Sequence, residues 1–279
     1  MPTVAEKRRA FRALHATGCF VIPNPWDVGS ARYLQHLGFK ALATTSSGAA
    51  WSVGRPDGGL SLDETLLNFA ALAEATDVPI NADFTNGFAD APEGVAANVG
   101  RALATGIAGV SIEDQMPGAS KLYDIDLAVE RVRAAREAVD AEGGNAVLVA
   151  RSECYLVGVE NPLKVALHRL ERFAEAGADC LYAPGVRAPD DIRALVAAVA
   201  PKPVNVLVGW ANSPSVPELA ALGVRRISVG GALARAAWAG FLAAAREIAG
   251  DGRFTALAGA TPGSELDTFF TADAARRSP

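Results

Sequence analysis

The chain has 279 residues, half of them apolar, which is enough to bury one large core. Its formal net charge is −5 and its pI is about 5.3. Since it has no run of lysines or arginines, it lacks the electrostatic signature of a nucleic-acid-binding protein. Its three cysteines show neither CxxC nor metal-ligand spacing, which argues against a disulfide framework or a zinc site.

The first residues, Met1–Ala16, are charged throughout and lack the apolar centre of a secretory signal. No later apolar run reaches membrane-spanning length without interruption. We therefore expect a soluble, cytoplasmic protein that acts on a small molecule and has no membrane or nucleic-acid partner.

Short apolar runs alternate with alanine-rich segments of helical period, a pattern typical of repeated βα units. Glycines that follow several helical segments fit the left-handed position that ends a helix. The predicted strands are Cys19–Pro23, Ala41–Thr45, Val78–Asp83, Gly109–Glu113, Ala146–Arg151, Cys180–Tyr182, Val204–Val208 and Arg226–Val229. The predicted helices between them are Val28–Leu37, Leu62–Ala75, Ala91–Ala104, Leu127–Ala141, Asn161–Ala176, Pro189–Ala200 and Val216–Leu222.

Eight strands with covering helices predict an α/β fold, a (β/α)8 barrel of the TIM type. A doubly wound open sheet is the alternative, which the lack of a GxGxxG after the first strand weakens. A further helical stretch, Ala232–Ile248, and a polar tail follow the last strand. Because no linker divides the chain, we expect one domain over residues 1–279, with 232–279 as a C-terminal helix and tail.

Carboxylates stand at the ends of two strands that would be neighbours in this barrel. Asp83 ends the third strand, and Glu113 ends the fourth. Barrel enzymes build their active sites at the C-terminal ends of the strands, and hard oxygen ligands with room for water suit Mg²⁺. The pair predicts a magnesium site. The structural alternative is a helix cap or a salt bridge at the rim.

Arg151 ends the fifth strand, which is otherwise apolar. A buried arginine is costly unless it meets an anion, and its planar group matches a carboxylate or phosphate in two parallel hydrogen bonds. We predict that Arg151 binds the substrate. The alternative is pairing with Asp83, Glu113 or Glu153 in the wall, and both interpretations can hold together.

Three further segments complete the predicted contacts. Ser46, Ser47 and Gly48 form a turn whose backbone N–H groups could bind an oxyanion. Asp57 lies in a turn-forming stretch and, from its spacing alone, is interpreted as structural. Asn205, on the seventh strand, supplies a polar side chain near the same rim.

Several motifs, in this order, resemble the isocitrate lyase and phosphoenolpyruvate mutase superfamily across roughly residues 17 to 240. They are Thr44–Gly48, Gly54–Asp57, Asn81–Asp83, Ser111–Gln115, Ala150–Ser152 and Leu222–Ser228. The resemblance implies a (β/α)8 barrel, Mg²⁺, and chemistry through the enolate of an α-oxo acid. It also implies a homo-oligomer, a dimer or tetramer, often with the last barrel helix exchanged between subunits.

The resemblance also assigns residue roles. The Ser46, Ser47 and Gly48 turn would bind the oxygens of the oxo acid, and Arg151 would bind a carboxylate or phosphonate. Asp57, which spacing alone left as structural, would surround Mg²⁺ together with Asp83 and Glu113.

This chain departs from the superfamily pattern at three places. The lyases that release succinate carry a Lys-Lys-Cys-Gly-His loop, whereas this chain has Met116–Tyr123, without cysteine or histidine. Lys121 or Tyr123 is then the candidate for proton transfer. The paired Asp-x-Asp motif is Asn81–Asp83 here, which removes one negative charge, and Tyr182 stands where those lyases often have a glutamate.

The sequence therefore predicts a Mg²⁺-dependent enzyme that binds a small α-oxo acid or its phosphonate analogue. It would break a C–C or P–C bond through an enolate, as a lyase, decarboxylase or hydrolase. A phosphoenolpyruvate or carboxyphosphonoenolpyruvate phosphomutase is the alternative within the same class. A barrel that binds the oxo acid without turnover is the alternative of another class.

Overall fold

The computed structural model describes residues 2–277, which form two compact units, residues 2–231 and 232–277. The first unit contains a sheet of eight parallel strands in the order β1-β8-β7-β6-β5-β4-β3-β2. The strands are β1 Phe20–Ile22, β2 Leu42–Ala43, β3 Ile80–Asp83, β4 Gly109–Glu113, β5 Val147–Arg151, β6 Cys180–Tyr182, β7 Val204–Leu207 and β8 Arg226–Ser228. The predicted TIM-type barrel is confirmed, and the open-sheet alternative is wrong.

Backbone and side-chain hydrogen bonds link β1 and β2, the two strands at the ends of this order. Ala43 donates its backbone N–H to the carbonyl of Pro23 at 3.0 Å. Asn24 donates to the carbonyl of Thr44 at 2.8 Å and accepts from the N–H of Gly230 at 2.8 Å. A single amide side chain thus connects the ends of three strands around the barrel.

Eleven α-helices are present within residues 2–277, and the predicted helices agree with them to within two residues at each end except at the last, which continues further. The sequence did not predict α1, α3 or α11. The helices are α1 Val4–Ala16, α2 Val28–His36, α3 Ser46–Ser52, α4 Leu62–Ala75, α5 Pro92–Ala104, α6 Ile125–Ala141, α7 Pro162–Glu175, α8 Pro189–Val199, α9 Val216–Ala221, α10 Ala232–Asp251 and α11 Gly263–Arg277.

Helix α1 uses basic side chains to attach itself to the barrel. Lys7 donates to the carbonyl of Ala73 at 2.8 Å, and Arg8 donates to that of Leu103 at 2.9 Å. Ala73 and Leu103 lie in the last turns of α4 and α5, where the helix dipole places partial negative charge. This attachment explains why charged residues of α1 are buried, and why its sequence gave little sign of packing.

Side chains of α1 also close one end of the barrel. Phe11 is fully buried, and a Cβ on Gly109 at the start of β4 would come within 2.6 Å of its ring. Only glycine therefore fits at position 109 without a shift of Phe11. His15 packs edge-on against Phe11 and Phe20 and bonds the carbonyl of Phe11 at 2.8 Å.

We expect His15 to make the protein less stable in mild acid. Burial lowers the pKa of His15 to about 3, whereas an unfolded histidine titrates near 6.5. Because the unfolded chain gains a proton that the folded chain does not, stability is present above pH 6.5 and is lost as the pH falls. The loss between pH 7 and pH 5 should be about 2 kcal/mol.

Urea unfolding of wild type and of His15→Phe at both pH values measures this loss. The variant should lose less stability in acid, whereas His168→Gln, a change at an exposed helical histidine, should behave as wild type. An unchanged pH dependence in His15→Phe would contradict the assignment.

Alternation along the strands separates two apolar clusters. Residues that face the helices form the larger cluster, which includes Ala82, Val110, Leu148 and Ile227. Residues that face the barrel interior form a smaller one, which includes Phe11, Ile22, Ala43, Val149, Cys180 and Tyr182. The polar residues of the strands share this interior side. Most of them lie nearer the C-terminal ends of the strands than the smaller cluster does.

The second unit, residues 232–277, contains α10, a short 3₁₀ helix over Thr255–Gly259, and α11. Glu247 of α10 accepts from the N–H of Ala256 at 2.7 Å and from the hydroxyl of Thr255, which joins α10 to the 3₁₀ helix. Large apolar side chains are exposed, among them Phe241 at 59% and Phe254 at 64%. None of the helices within residues 2–277 combines the length and apolar character needed to cross a bilayer.

Candidate active site

A cavity of about 190 Å³ opens at the C-terminal ends of the strands, where barrel enzymes place their active sites. Residues of the first unit line it: Asn24, Ala43, Thr44, Thr45, Ser46, Ser47, Asp57, Asn81, Asp83, Ser111, Arg151, Tyr182, Leu207, Arg226, Ser228, Gly230 and Gly231. The lining is rich in hydroxyl, amide and charged groups, which suits a small polar ligand.

Arg151 lines this cavity with Asp83 and is the centre of a charged network, in which Glu113 and Glu153 lie outside the lining. Its guanidinium lies 2.6 Å from Asp83, 3.3 Å from Glu113 and 2.8 Å from Glu153. Its Cζ also lies 5.1 Å from the ring centroid of Tyr182. Strand register explains the meeting, because Glu113 is directly opposite Arg151 in the β4–β5 pair. The predicted wall pairing of Arg151 with the three carboxylates is therefore present in the structure.

Burial and charge shift the pKa values of this network. Burial raises the pKa of Glu113 to about 8, against the opposing effect of Arg151. Burial also raises the pKa of Glu153. For Arg151, burial alone would lower the pKa, but Glu153, Glu113 and Asp83 outweigh it and raise the pKa well above its usual value. The network thus contains a permanent cation and carboxyl groups that would gain from a second cation.

Asp114, next to Glu113 in the sequence, lies behind the network. It accepts the backbone N–H of Glu153 at 2.8 Å and pairs with Arg169 at 3.1 Å. Arg169 also donates to the carbonyl of Tyr123 at 2.8 Å. Asp114 therefore fixes the backbone that carries Glu153 and the end of the loop after β4.

The predicted Ser46, Ser47 and Gly48 turn is the first turn of α3, which Thr45 caps. Ser46 and Ser47 line the cavity, whereas Gly48 is buried and lies outside the lining. The N–H of Ser46 donates to Asp83 at 3.0 Å, and that of Gly48 donates to Thr45 at 3.3 Å. The turn thus positions Asp83 as well as facing the cavity.

Asp57 and Asn205, the other predicted ligands, differ in position. Asp57 is exposed and lines the cavity, where its carboxylate accepts the N–H of Gly58 at 3.0 Å. Asn205 is fully buried outside the lining, and it donates to the hydroxyl of Ser228 at 2.9 Å. Asn205 can therefore act on a ligand only through Ser228.

Neither candidate for proton transfer lies in the cavity lining. Lys121 is exposed on the loop after β4. Tyr123 is buried, donates its hydroxyl to Asp90 and accepts from Asn86 at 3.1 Å. The ring of Tyr123 lies 4.1 Å from the Cζ of Arg131. These contacts hold the hydroxyl of Tyr123 outside the cavity, so we assign Tyr123 no proton-transfer role.

The sequence gave no binding or catalytic role to several residues that line the cavity, including Asn81, Ser111, Tyr182, Arg226 and Ser228. One signal could have found most of them. Side chains alternate along a strand, so Asn81 must share the interior side with Asp83, and Arg226 must share it with Ser228. The inward set follows once one inward residue on each strand is known.

The chemistry of this cavity fits the predicted Mg²⁺. Asp83 and Glu113 are partly exposed, at 18% and 17% of their side-chain surface, and Mg²⁺ typically takes one or two carboxylates and several waters. Burial raises the pKa of Glu113, and a cation beside this carboxylate would oppose that rise. Residues 2–277 contain no group of three or more His, Cys, Asp or Glu side chains arranged as metal ligands, so waters would complete the coordination.

Comparisons with known proteins find relatives that match most of this chain. The family model described as phosphoenolpyruvate phosphomutase matches residues 11–249. A crystal structure from Burkholderia cenocepacia J2315, provisionally assigned as a lyase/mutase, is 47% identical, covers 96% of this chain and 97% of that one, and superposes with a TM-score of 0.92. A structure of oxaloacetate acetylhydrolase in complex with oxalate is 28% identical and covers 98% of this chain and 96% of that one, with a TM-score of 0.85.

Among proteins of known sequence, the oxaloacetate decarboxylase of Paraburkholderia xenovorans (strain LB400) is 31% identical over 205 residues, covering 70% of this chain and 66% of the decarboxylase. An uncharacterised protein of Mycobacterium tuberculosis (strain ATCC 25618 / H37Rv) is 32% identical over 222 residues, which are 79% of this chain and 81% of that protein. With the barrel and the charged network at its rim, these matches show that the chain belongs to the phosphoenolpyruvate phosphomutase family, within the superfamily of lyases and mutases that includes isocitrate lyase.

Proposed function

We propose that this protein is a Mg²⁺-dependent enzyme that breaks a C–C bond of a small α-oxo acid through an enolate intermediate. The observation that carries the proposal is the network of Arg151 with Asp83, Glu113 and Glu153 in the cavity wall. A cation among carboxylates, on rigid strand ends, can hold an anionic substrate beside a metal ion.

Each group in the cavity has a part in this reaction. Arg151 binds a carboxylate of the substrate, and Asp83 and Glu113 hold the metal, with Asp57 reached through water. A bound Mg²⁺ would polarise the oxo group and stabilise negative charge on its oxygen. Ser46 and Ser47, at the start of α3, line the same cavity and would contact the substrate beside the oxo group.

When the C–C bond breaks, its electron pair becomes part of the enolate, and the enolate carbon then takes a proton. No side chain of the loop segment 115–122 lines the cavity. This loop is a compact hairpin, with Gln115 bridged to Leu122 and the N–H of Met116 donating to Lys121 at 2.9 Å. Water is therefore the proposed proton source, which favours decarboxylation or hydrolytic cleavage.

A phosphomutase is the second candidate, and the family match is the observation that favours it. Transfer of a phosphoryl group needs a site that excludes water, whereas the proposed lyase uses water. Product analysis separates the two, because a mutase converts phosphonopyruvate to phosphoenolpyruvate, and a lyase releases a carbon fragment from oxaloacetate or a substituted malate.

Calorimetric titration with oxalate, which mimics the enolate of pyruvate, tests the proposal. We expect binding with Mg²⁺ and none with a chelator. Asp83→Asn and Glu113→Gln should each weaken the Mg²⁺-dependent binding by at least about 10-fold, as changes around a metal commonly do. Asp126→Asn, at an exposed acid of α6, is the control.

Either of two results would contradict the proposal. Oxalate binding that is equal with Mg²⁺ and chelator removes the metal from the mechanism. Metal-dependent binding without turnover of oxaloacetate, substituted malates or phosphonopyruvate would support a barrel that binds oxo acids without catalysis.

We also propose that the protein is a homo-oligomer. Exposed apolar side chains are concentrated in residues 232–277, at Trp238, Phe241, Phe254, Leu257 and Phe270. A soluble monomer rarely exposes so many large apolar groups in one short region. Light scattering coupled to size exclusion measures the state, and a monomer at micromolar concentration would contradict it.

A further inference from the structure

Arg226 is a buried cation without a carboxylate partner. It lies on β8 with 3% of its surface exposed and lines the cavity. No Asp or Glu within residues 2–277 forms an ion pair with it. Its hydrogen bond to a protein group runs from Nη1 to the amide oxygen of Asn81 at 3.3 Å, and its Nε is buried without an acceptor.

The surroundings of Arg226 provide little compensation for its charge. Its Cζ lies 5.9 Å from the ring centroid of Phe11, a weak cation–π contact. Asn81 is neutral, so its amide oxygen does not balance the guanidinium. A buried, unbalanced guanidinium carries a desolvation cost of several kcal/mol. Binding of an anion beside such a group would offset this cost through charge-assisted hydrogen bonds.

Arg151 provides the contrast within the same cavity. Its single positive charge is shared among Asp83, Glu113 and Glu153. A substrate with two negative groups would meet a surplus of carboxylates there, unless another cation received one of them. The lining contains one other arginine, Arg226, on β8. This strand is three places from β5 in the sheet order.

Polar groups beside Arg226 are suited to the same anion. Ser228, two residues later on β8, lines the cavity, and its hydroxyl is held by Asn205 at 2.9 Å. Because Asn205 donates to this oxygen, the Ser228 proton is available to a ligand. Ser111, on β4, lines the same cavity, and its hydroxyl donates to the carbonyl of Ala82 at 3.0 Å, leaving its oxygen to accept.

We propose that Arg226 is a second anion-binding residue, which with Ser228 receives a second negative group of the substrate and so selects oxo acids that carry one. This inference rests on the proposed function, because it concerns the same cavity and the same oxo acid. The preferred ligand is an α-oxo acid with a further carboxylate or phosphonate. A monoanionic oxo acid would leave Arg226 unpaired.

Two probes that differ by one anionic group test this inference. Pyruvate and 3-phosphonopyruvate share the oxo acid, and only the latter has a second negative group. Calorimetric titration with Mg²⁺ should show tighter binding of 3-phosphonopyruvate to wild type. Arg226→Met should weaken that binding by about 30-fold or more, as expected on removing one partner of a buried charge pair, and leave pyruvate binding little changed.

Asn81→Asp is the second variant, and it keeps the arginine. The new carboxylate would replace the amide oxygen that now lies 3.3 Å from Arg226, forming an ion pair that neutralises the guanidinium in place. Preference for 3-phosphonopyruvate over pyruvate should fall as in Arg226→Met. Since this change supplies a partner to a buried cation, it keeps the test valid if Arg226→Met does not fold.

The outcomes separate this inference from the proposed function. If wild type binds oxalate with Mg²⁺ but does not prefer 3-phosphonopyruvate, the role of Arg226 is overturned and the proposed function stands. The same holds if both variants keep the preference. If wild type binds neither oxalate nor pyruvate, both are overturned.

Discussion

Arg151→Ala is expected to remove oxalate binding and to lower the free energy of unfolding by about 3–5 kcal/mol at pH 8, the usual cost of removing one partner from a buried ion pair. The sequence alone predicts lost binding with an intact fold. The structure adds the stability cost, because Asp83, Glu113 and Glu153 would remain buried without their cation. Chemical denaturation and calorimetry measure the two effects separately.

The stability cost of Arg151→Ala should depend on pH in a defined direction. Unfolded carboxyl groups titrate near 4, whereas burial already raises the pKa of Glu113 to about 8 in wild type, and loss of Arg151 raises it further. Above pH 4 the folded variant therefore binds more protons than the unfolded chain, so its stability falls as the pH rises. Because Glu113 is protonated in both folded proteins well below pH 8, they lose stability in parallel there, and the difference from wild type should grow above pH 8.

Arg172→Ala is the matched control, since Arg172 of α7 forms an exposed ion pair with Asp126 of α6. An exposed pair contributes about 0–1 kcal/mol, so this variant should retain oxalate binding and nearly all stability. Arg151→Ala with wild-type oxalate affinity would show that Arg151 is part of the wall only. Equal stability losses at pH 7 and pH 9 would contradict the charge explanation.

Arg131→Leu should destabilise the protein by a similar amount, about 3–5 kcal/mol, through unpaired backbone groups. Arg131 on α6 is 1% exposed and donates to the carbonyls of Asn86, Ala89 and Asp90 in the loop after β3. Its Cζ also lies over the ring of Tyr123. Leucine fills much of the space but removes the donor of the Asn86 and Asp90 carbonyls and leaves the Ala89 carbonyl with the amide of Asn86 at 3.5 Å.

The effect of Arg131→Leu should reach the cavity, because the loop that Arg131 holds begins directly after Asp83. Oxalate affinity should fall while the fold remains. Arg133→Leu, two residues further along α6 at a half-exposed arginine paired with Glu130, is the control and should cost about 1 kcal/mol or less. If Arg131→Leu lowers the free energy of unfolding no more than Arg133→Leu does, Arg131 does not hold the loop as proposed.

Sequence patterns predicted the strands and the barrel helices well because the barrel repeats one local rule. Each apolar run of β type ends in a turn, and several of the alanine-rich helices end near a glycine, so hydrophobic period and turn residues agree. Gly38, Gly106, Gly177 and Gly223 all have positive φ, as predicted. Helix α1 was not predicted, because charged residues such as Lys7 and Arg8 are expected on the surface. In the structure both are buried against the C-termini of α4 and α5.

The candidate site was predictable in part. Asp83, Glu113 and Arg151 were found because a charged residue at the end of an apolar strand is unusual. Their meeting depends on strand order and register, which place β3, β4 and β5 side by side. Ser46 begins α3 and Asp57 lies in the turn after that helix, and the closed barrel brings them to the same cavity.

By itself, the sequence determined the βα alternation, the barrel, and the chemical type of the rim, because period, turns and strand-end charges are local properties. Tertiary structure alone decided which charges balance one another. Arg151 pairs with three carboxylates, Tyr123 donates to Asp90, and Arg226 donates to the amide oxygen of Asn81. The physical reason is that side chains remote in sequence share one buried interior. There, burial and distance, rather than residue type, set the interaction energy and the pKa of each charged group.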